Sequence, residues 1–277
     1  MEQPAQSGRE IIVYVRRFIP ERDEKPRWQR YPLPLQSGMT VLDGLHRIKE
    51  TQDASLAFRF SCRMGVCGSC AMLINGKPAL ACNTQISDVA GRVLALAPLP
   101  NFDIIKDLVP DLSPLFQKHI SLQPHIQRED VAELDKPTGE FRQSPEELVR
   151  YLQFAYCIKC GLCMAACPTL ATDPEYLGPM PLAQAYRYNT DSRDAGFHNR
   201  KEGAGTSHGV FRCHYAGECS NVCPKGVDPA RALQLMKRDL VLDYLRLKRC
   251  RKPAAVQGPS AEAKRRTDVP APPPHTV

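Results

Sequence analysis

The chain is most informative first in what it lacks. No stretch of its 277 residues approaches the ~18 uncharged apolar residues that a membrane-spanning helix needs, so membrane contact is expected only through partners. Met1 to Glu10 is polar and carries no apolar run of the kind a secretory signal requires, which points to a reducing compartment and away from disulfides. No G-x-G-x-x-G follows a strand. The nearest approach, Gly203 to Gly209, misses the spacing and reads as a flexible loop. Charge of one sign is not heavily favoured either: the net +7 suits a solvated surface, an acidic partner or anionic headgroups as well as a polyanion.

Cysteine, by contrast, is plentiful, and its twelve residues fall into groups with metal-ligand spacing. Cys62-x4-Cys67-x2-Cys70, with Cys82 eleven residues further on, is the plant-type pattern for a 2Fe-2S cluster. Gly65 and Gly68 would let the backbone N–H groups of that loop turn towards the sulfurs. In the second half, Cys157-x2-Cys160-x2-Cys163-x3-Cys167-Pro168 has the bacterial ferredoxin spacing, in which the fourth cysteine serves the other cluster. Crossing the ligands with the run Cys213-x5-Cys219-x3-Cys223 assigns Cys157, Cys160, Cys163 and Cys223 to a 4Fe-4S cluster. Cys167, Cys213 and Cys219 remain for the other site. A complete second run would place a cysteine three residues after Cys213, where Ala216 stands, so a 3Fe-4S cluster is the economical reading. Zinc also favours four thiolates, but it gains nothing from the crossed ferredoxin spacing. Eleven cysteines are thus assigned, and Cys250 is left as an incidental thiol.

The segments around these groups imply an α+β fold. Glu10 to Phe18 and Trp28 to Leu35 read as a hairpin, and Thr40 caps an amphipathic helix carrying Val41, Leu45 and Ile48. A second hairpin turns at Asn75-Gly76 and delivers Cys82, and Val93 to Ala97 is a closing strand. Pro110 and Pro114 prevent one continuous helix over Phe102 to His119. Ser144-Pro145-Glu146-Glu147 starts a helix, with Leu148, Leu152 and Ala155 on one face, that leads into Cys157. Pro181 to Tyr188 is expected to be helical and Asn189 to Gly209 a loop excursion. Asp228-Pro229 starts a last helix with a core stripe of Leu233, Met236, Leu240, Tyr244 and Leu247. The expected domains are a β-grasp 2Fe-2S ferredoxin over 1–115 and an all-α bacterial-ferredoxin-like 4Fe-4S/3Fe-4S domain over 116–250. The Pro/Ala/Lys/Arg-rich 251–277 is expected to be a disordered tail.

A plant-type site followed by the crossed pair resembles the iron-sulfur subunits of succinate dehydrogenase and fumarate reductase. The likeness runs from about Glu10 to Arg249 and includes Ser61 to Cys70, Asn75 to Pro78, Ala185 to Asn189, Asp191 to Asp194 and Cys223 to Pro229. It implies three clusters in line between FAD on a flavoprotein subunit and quinone at membrane anchor subunits, with haem content and direction open. The expected location is peripheral, on the cytoplasmic face of the bacterial inner membrane, with no nucleic acid bound. Chemistry on the dicarboxylate would belong to the flavoprotein. For the quinone site the likeness points to Pro168, His214, Ala216 and Lys237. Ubiquinone-using members carry tryptophan where Thr172 stands, which favours menaquinone. The basic cluster Lys248, Arg249, Arg251, Lys252 suits anionic headgroups. Two rival readings stand beside this one. The electron-transfer subunit of a heterodisulfide-type or glycerol phosphate oxidising complex would usually show two complete cysteine runs, and a zinc-stabilised nucleic-acid-binding module would be colourless.

Overall fold

A computed structural model describes residues 10–136 and 138–247. Cys250, the 251–277 segment and the basic cluster from Lys248 onward lie outside the described residues. Strands β1 (Glu10–Arg17) and β2 (Arg27–Pro34) form the expected antiparallel hairpin, from Glu10 opposite Pro34 to Arg17 opposite Arg27. Alternation along β1 sends Ile11, Val13 and Val15 into the core, each β-branched residue contributing about 1.5–3 kcal/mol by burial. The next inward position is Arg17.

Helix α1 (Val41–Thr51) opens with a capping box: the Asp43 N–H donates to the Thr40 hydroxyl at 3.2 Å, and the Thr40 N–H donates to the Asp43 carboxylate at 3.0 Å. Its buried residues include the expected Val41, Leu45 and Ile48. Strands β3 (Ala71–Ile74) and β4 (Lys77–Leu80) meet at Asn75-Gly76, whose φ values of 49° and 79° fit the two-residue hairpin turn. After α2 (Ile86–Val89), strand β5 (Val93–Ala97) runs parallel to β1 and antiparallel to β3, giving the order β2-β1-β5-β3-β4. The small hairpin β6 (Ile104–Lys106) and β7 (Val109–Pro110) and helix α3 (Ser113–Ser121) account for the mixed character around Pro110 and Pro114.

Arg17 is 1 % exposed and organises the far end of this sheet. Its Nε donates to Asp107 at 2.8 Å, and further bonds reach Tyr31, Asp53 and Ser55. Asp107 also accepts from the N–H groups of Phe18 at 3.0 Å and Ala57 at 2.9 Å. The network therefore fixes the segment that leads into the first cysteine loop.

The second half is helical: α4 (Val131–Asp135), α5 (Pro145–Ala155), α6 (Leu162–Ala165), α7 (Pro168–Thr172), α8 (Pro179–Thr190), α9 (Phe197–Ala204), α10 (Glu218–Asn221) and α11 (Pro229–Tyr244). Three expectations need correction. The stretch Asn189 to Gly209 is not simply a loop, because α9 lies within it and Gly203 belongs to that helix. Arg200 holds the helix inward by donating two hydrogen bonds to the Asp194 carboxylate, at 2.7 and 2.8 Å, and others to the Asn189 side chain and the Gln123 carbonyl. On α5 the buried face is Tyr151 and Phe154 rather than Leu148, Leu152 and Ala155, since Phe154 meets Tyr186 of α8 edge-on at 5.4 Å. On α11 only Leu233 and Met236 of the expected stripe are buried; Tyr244 and Leu247 are exposed.

The two halves are joined through α6. Leu162 and Ala165 belong to the core of the sheet, whereas Met164 belongs to the helical core. Asn101, at a φ of 65°, reinforces the junction: its side-chain amide donates to the carbonyls of Met164 at 2.9 Å and of Ala165 and Cys167 at 3.2 Å. One polar group from the first half thus caps the helix lying between two cysteines of the second.

Candidate metal centres

The loop bearing Cys62, Cys67 and Cys70 lies between α1 and β3, and Cys82 follows β4 on a single 3-10 turn over Ala81–Asn83. The N–H groups of Val66 and Cys67 donate to the Cys62 sulfur at 3.3 and 3.2 Å, the Gly65 N–H to Cys82 at 3.2 Å, and the Cys82 N–H to Cys70 at 3.4 Å. Gly65 and Gly68 have φ of 68° and 75°, as a loop folded around its own sulfurs requires. Hydrogen bonds from Ser69 and the Cys62 backbone draw the Cys67 thiol below its usual range, while burial pushes Cys70 up. Phe60, Met64 and Val66 surround the loop as exposed apolar side chains.

In the helical half, Cys157, Cys160, Cys163 and Cys223 line one small cavity together with Ile158, Leu162, Met180, Ala183 and Val227. Burial, together with the neighbouring sulfurs of Cys157 and Cys223, pushes the Cys160 thiol up to about 11. Cys219 has the sulfurs of Cys167 and Cys213 as neighbours, and burial again lifts its thiol to about 11. The structure therefore brings the cysteines together crosswise, four in one group and three in the other. Buried thiols of this kind ionise when a metal compensates the charge.

The three groups form a continuous row. A Cβ placed on Gly68 would stand 2.6 Å from Cys160 Cβ and 2.9 Å from Cys160 Cα, so the first loop rests directly on the second group. Cys163 has Cys219 among its electrostatic neighbours, which links the second group to the third.

Around the third group Pro168, Thr172, His214, Tyr215 and Ala216 are exposed. Lys237 is half-buried, and its ammonium donates to the Cys213 carbonyl at 2.7 Å. Asp173 accepts from Arg212 at 2.9 Å and bonds His208 at 3.1 Å, fixing the approach to Cys213. Pro168, His214 and Ala216 adjoin Cys167 and Cys213 in sequence, and Lys237 reaches the Cys213 loop from α11. Sequence reasoning missed Asn101 and Tyr176. Neither belongs to a spacing motif, and only the folded chain shows Asn101 spanning the junction and the Tyr176 hydroxyl buried beside the third group.

Among the described residues no three His, Cys, Asp or Glu side chains are grouped so as to hold one metal ion. A zinc ion would draw four sulfurs to within roughly 3.8 Å of each other at its usual bond length. Among the described residues no helix is long and apolar enough to cross a membrane.

Comparison with known proteins identifies both halves as iron-sulfur domains. Residues 12–117 match the model of a 2Fe-2S iron-sulfur cluster binding domain and residues 153–227 that of a 4Fe-4S dicluster domain. The chain is 45 % identical over 227 residues to a fumarate reductase iron-sulfur subunit of Mycobacterium tuberculosis, covering 82 % of this chain and 91 % of the relative. It is 41 % identical over 230 residues to the mitochondrial succinate dehydrogenase [ubiquinone] iron-sulfur subunit of Candida glabrata, covering 82 % and 90 %. Among solved structures, a chain of the Mycobacterium smegmatis Sdh1 complex in the apo form superposes with a TM-score of 0.73 at 29 % identity, covering 86 % of this chain and 98 % of that one.

Proposed function

The chain belongs to the family of succinate dehydrogenase and fumarate reductase iron-sulfur subunits, and from that premise we propose that it connects FAD on a flavoprotein subunit with quinone at membrane anchor subunits. Cys62, Cys67, Cys70 and Cys82 would hold 2Fe-2S; Cys157, Cys160, Cys163 and Cys223 would hold 4Fe-4S; Cys167, Cys213 and Cys219 would hold 3Fe-4S. When bound, such clusters supply one-electron relay sites. The observation that carries the reading is the unbroken row of cysteine groups, through Gly68 against Cys160 and Cys163 beside Cys219.

The remaining roles belong to the chain's own side chains. Phe60, Met64 and Val66 give the first loop an apolar rim suited to the flavoprotein. At the other end Pro168, His214 and Ala216 face outward, and Lys237 steadies the loop through the Cys213 carbonyl. An imidazole or ammonium there can orient a quinone oxygen. Thr172 favours menaquinone. The row serves succinate oxidation and fumarate reduction alike, and docking on anchor subunits would hold the chain at the cytoplasmic face of the bacterial inner membrane.

Electron paramagnetic resonance of the purified complex, with potentiometric titration against menaquinone and ubiquinone analogues, tests this reading. Three distinct signals are expected, and Ala216→Cys should convert the oxidised 3Fe signal into a 4Fe one. A 3Fe signal persisting unchanged in that variant would remove Ala216 as the reason for the missing corner.

A further inference from the structure

Four buried side-chain polar atoms among the described residues lack a nitrogen or oxygen hydrogen-bond partner: His46 Nε2, His119 Nδ1, Gln234 Nε2 and the Tyr176 hydroxyl. Tyr176 is 0 % exposed and belongs to the helical core, on the segment between α7 and α8. Its backbone is held on both sides: its N–H donates to the Asp173 carbonyl at 3.1 Å, and its own carbonyl accepts from the Lys118 ammonium at 2.7 Å. The side chain is therefore delivered to a fixed place. Its neighbours there are the sulfurs of Cys213, Cys167 and Cys219, the three cysteines of the third group, and the Cys213 sulfur stands as a weak acceptor for its hydroxyl.

A buried hydroxyl with no acceptor but a thiol sulfur is poorly satisfied, and phenylalanine would fill the same space without that cost. The geometry points to an acceptor supplied by the third centre. We propose that the Tyr176 hydroxyl donates a hydrogen bond to a sulfur of the centre held by Cys167, Cys213 and Cys219, and so raises that centre's reduction potential. The inference rests on the cluster assignment above. A hydrogen bond to sulfur favours the more negative, reduced form, and it strengthens where water is excluded. Tyr176 keeps its proton throughout; only the reduced share of the centre at a given potential changes. Tyr176 is thus a tuning residue, placed where the last centre must accept an electron and pass it on.

The test is Tyr176→Phe in the intact complex, read by potentiometric titration of all three signals. The third signal should persist at full intensity, with its reduced-to-oxidised ratio at the original midpoint potential lowered about tenfold, which is 59 mV for one electron. The other two midpoints should stay in place. An unmoved third midpoint overturns the proposal, and so does loss of the signal, which would mark Tyr176 as a packing residue. A second variant guards against a folding artefact: 3-fluorotyrosine at position 176 keeps the packing and makes the hydroxyl a stronger donor, so the midpoint should rise. A midpoint that stays put there also overturns the inference. If the unmodified complex lacks a third signal altogether, the cluster assignment itself fails, which distinguishes that failure from failure of the tyrosine's role.

Discussion

Gly68→Ala probes the contact on which the row of centres depends. Two costs follow from the structure. The backbone at φ 75° lies in the left-handed region, where a side chain costs about 1–2 kcal/mol. The new methyl would also stand 2.6 Å from Cys160 Cβ, so the two cysteine loops must part by roughly 1 Å, an overpacking cost of about 1–3 kcal/mol. Together these come to about 2–5 kcal/mol, or a fall in thermal midpoint of roughly 5–15 °C for a chain of this size. Gly76→Ala is the control, because its φ of 79° carries the same backbone strain while nothing lies within 4 Å of the added carbon. It should lose only about 1–2 kcal/mol. Thermal unfolding of the purified complex followed by calorimetry would compare them, and the separated loops should also slow reduction of the second centre relative to the first in freeze-quenched samples. Equal midpoints for the two variants, with unaltered reduction kinetics, would refute the argument that the loops bear on each other through Gly68.

Other outcomes follow from the same geometry. Arg17→Met leaves Asp107 buried without its cation and should destabilise the chain by about 3–5 kcal/mol, measurable by denaturant unfolding. Burial alone would raise Asp53, but hydrogen bonds from Ser55, Tyr31 and Arg17 and the guanidinium charge hold its carboxyl well below the usual range. Because its folded pKa lies below the unfolded value of about 4, its stabilisation is full above that pH and lost as pH falls through the folded pKa. Asp53→Asn should therefore flatten the acid limb of the stability curve, and an unchanged limb would exclude this role. Asn101→Ala removes the one side-chain amide that faces the Met164, Ala165 and Cys167 carbonyls and should cost about 1–2 kcal/mol, seen as earlier loss of the second and third signals on heating. Lys237→Leu should lower quinone-linked turnover about tenfold with all three signals retained; unchanged quinone kinetics would remove Lys237 from that site.

The parts of this fold legible in the sequence are those governed by local chemistry. The Thr40 and Ser144 capping boxes, the Asn75-Gly76 turn and the alternation of Ile11, Val13 and Val15 each express a short-range rule that the tertiary structure leaves intact. The cysteine spacing is local in the same sense, and the crossed sharing of ligands read from it is the proposal made above. What was not legible involves polar side chains whose burial depends on distant partners. Arg200 looks like a surface residue on a weakly patterned segment until Asp194 and the Gln123 carbonyl enclose it, which is why α9 read as loop. Arg17 extends an apolar alternation with a charge, and Asp107, ninety positions away, explains it. The α5 face was misread for a related reason: the aromatic pair Phe154 and Tyr186 decides which side faces inward, and an aliphatic count does not anticipate it.

The central claim concerns how eleven cysteines are shared, four, four and three. Iron and acid-labile sulfide determination on complex prepared without air, with Mössbauer spectra to apportion the iron, tests it most directly. The account predicts about nine irons per chain distributed over two-iron, four-iron and three-iron centres. Stoichiometric zinc, or iron that resolves into two centres rather than three, would contradict it.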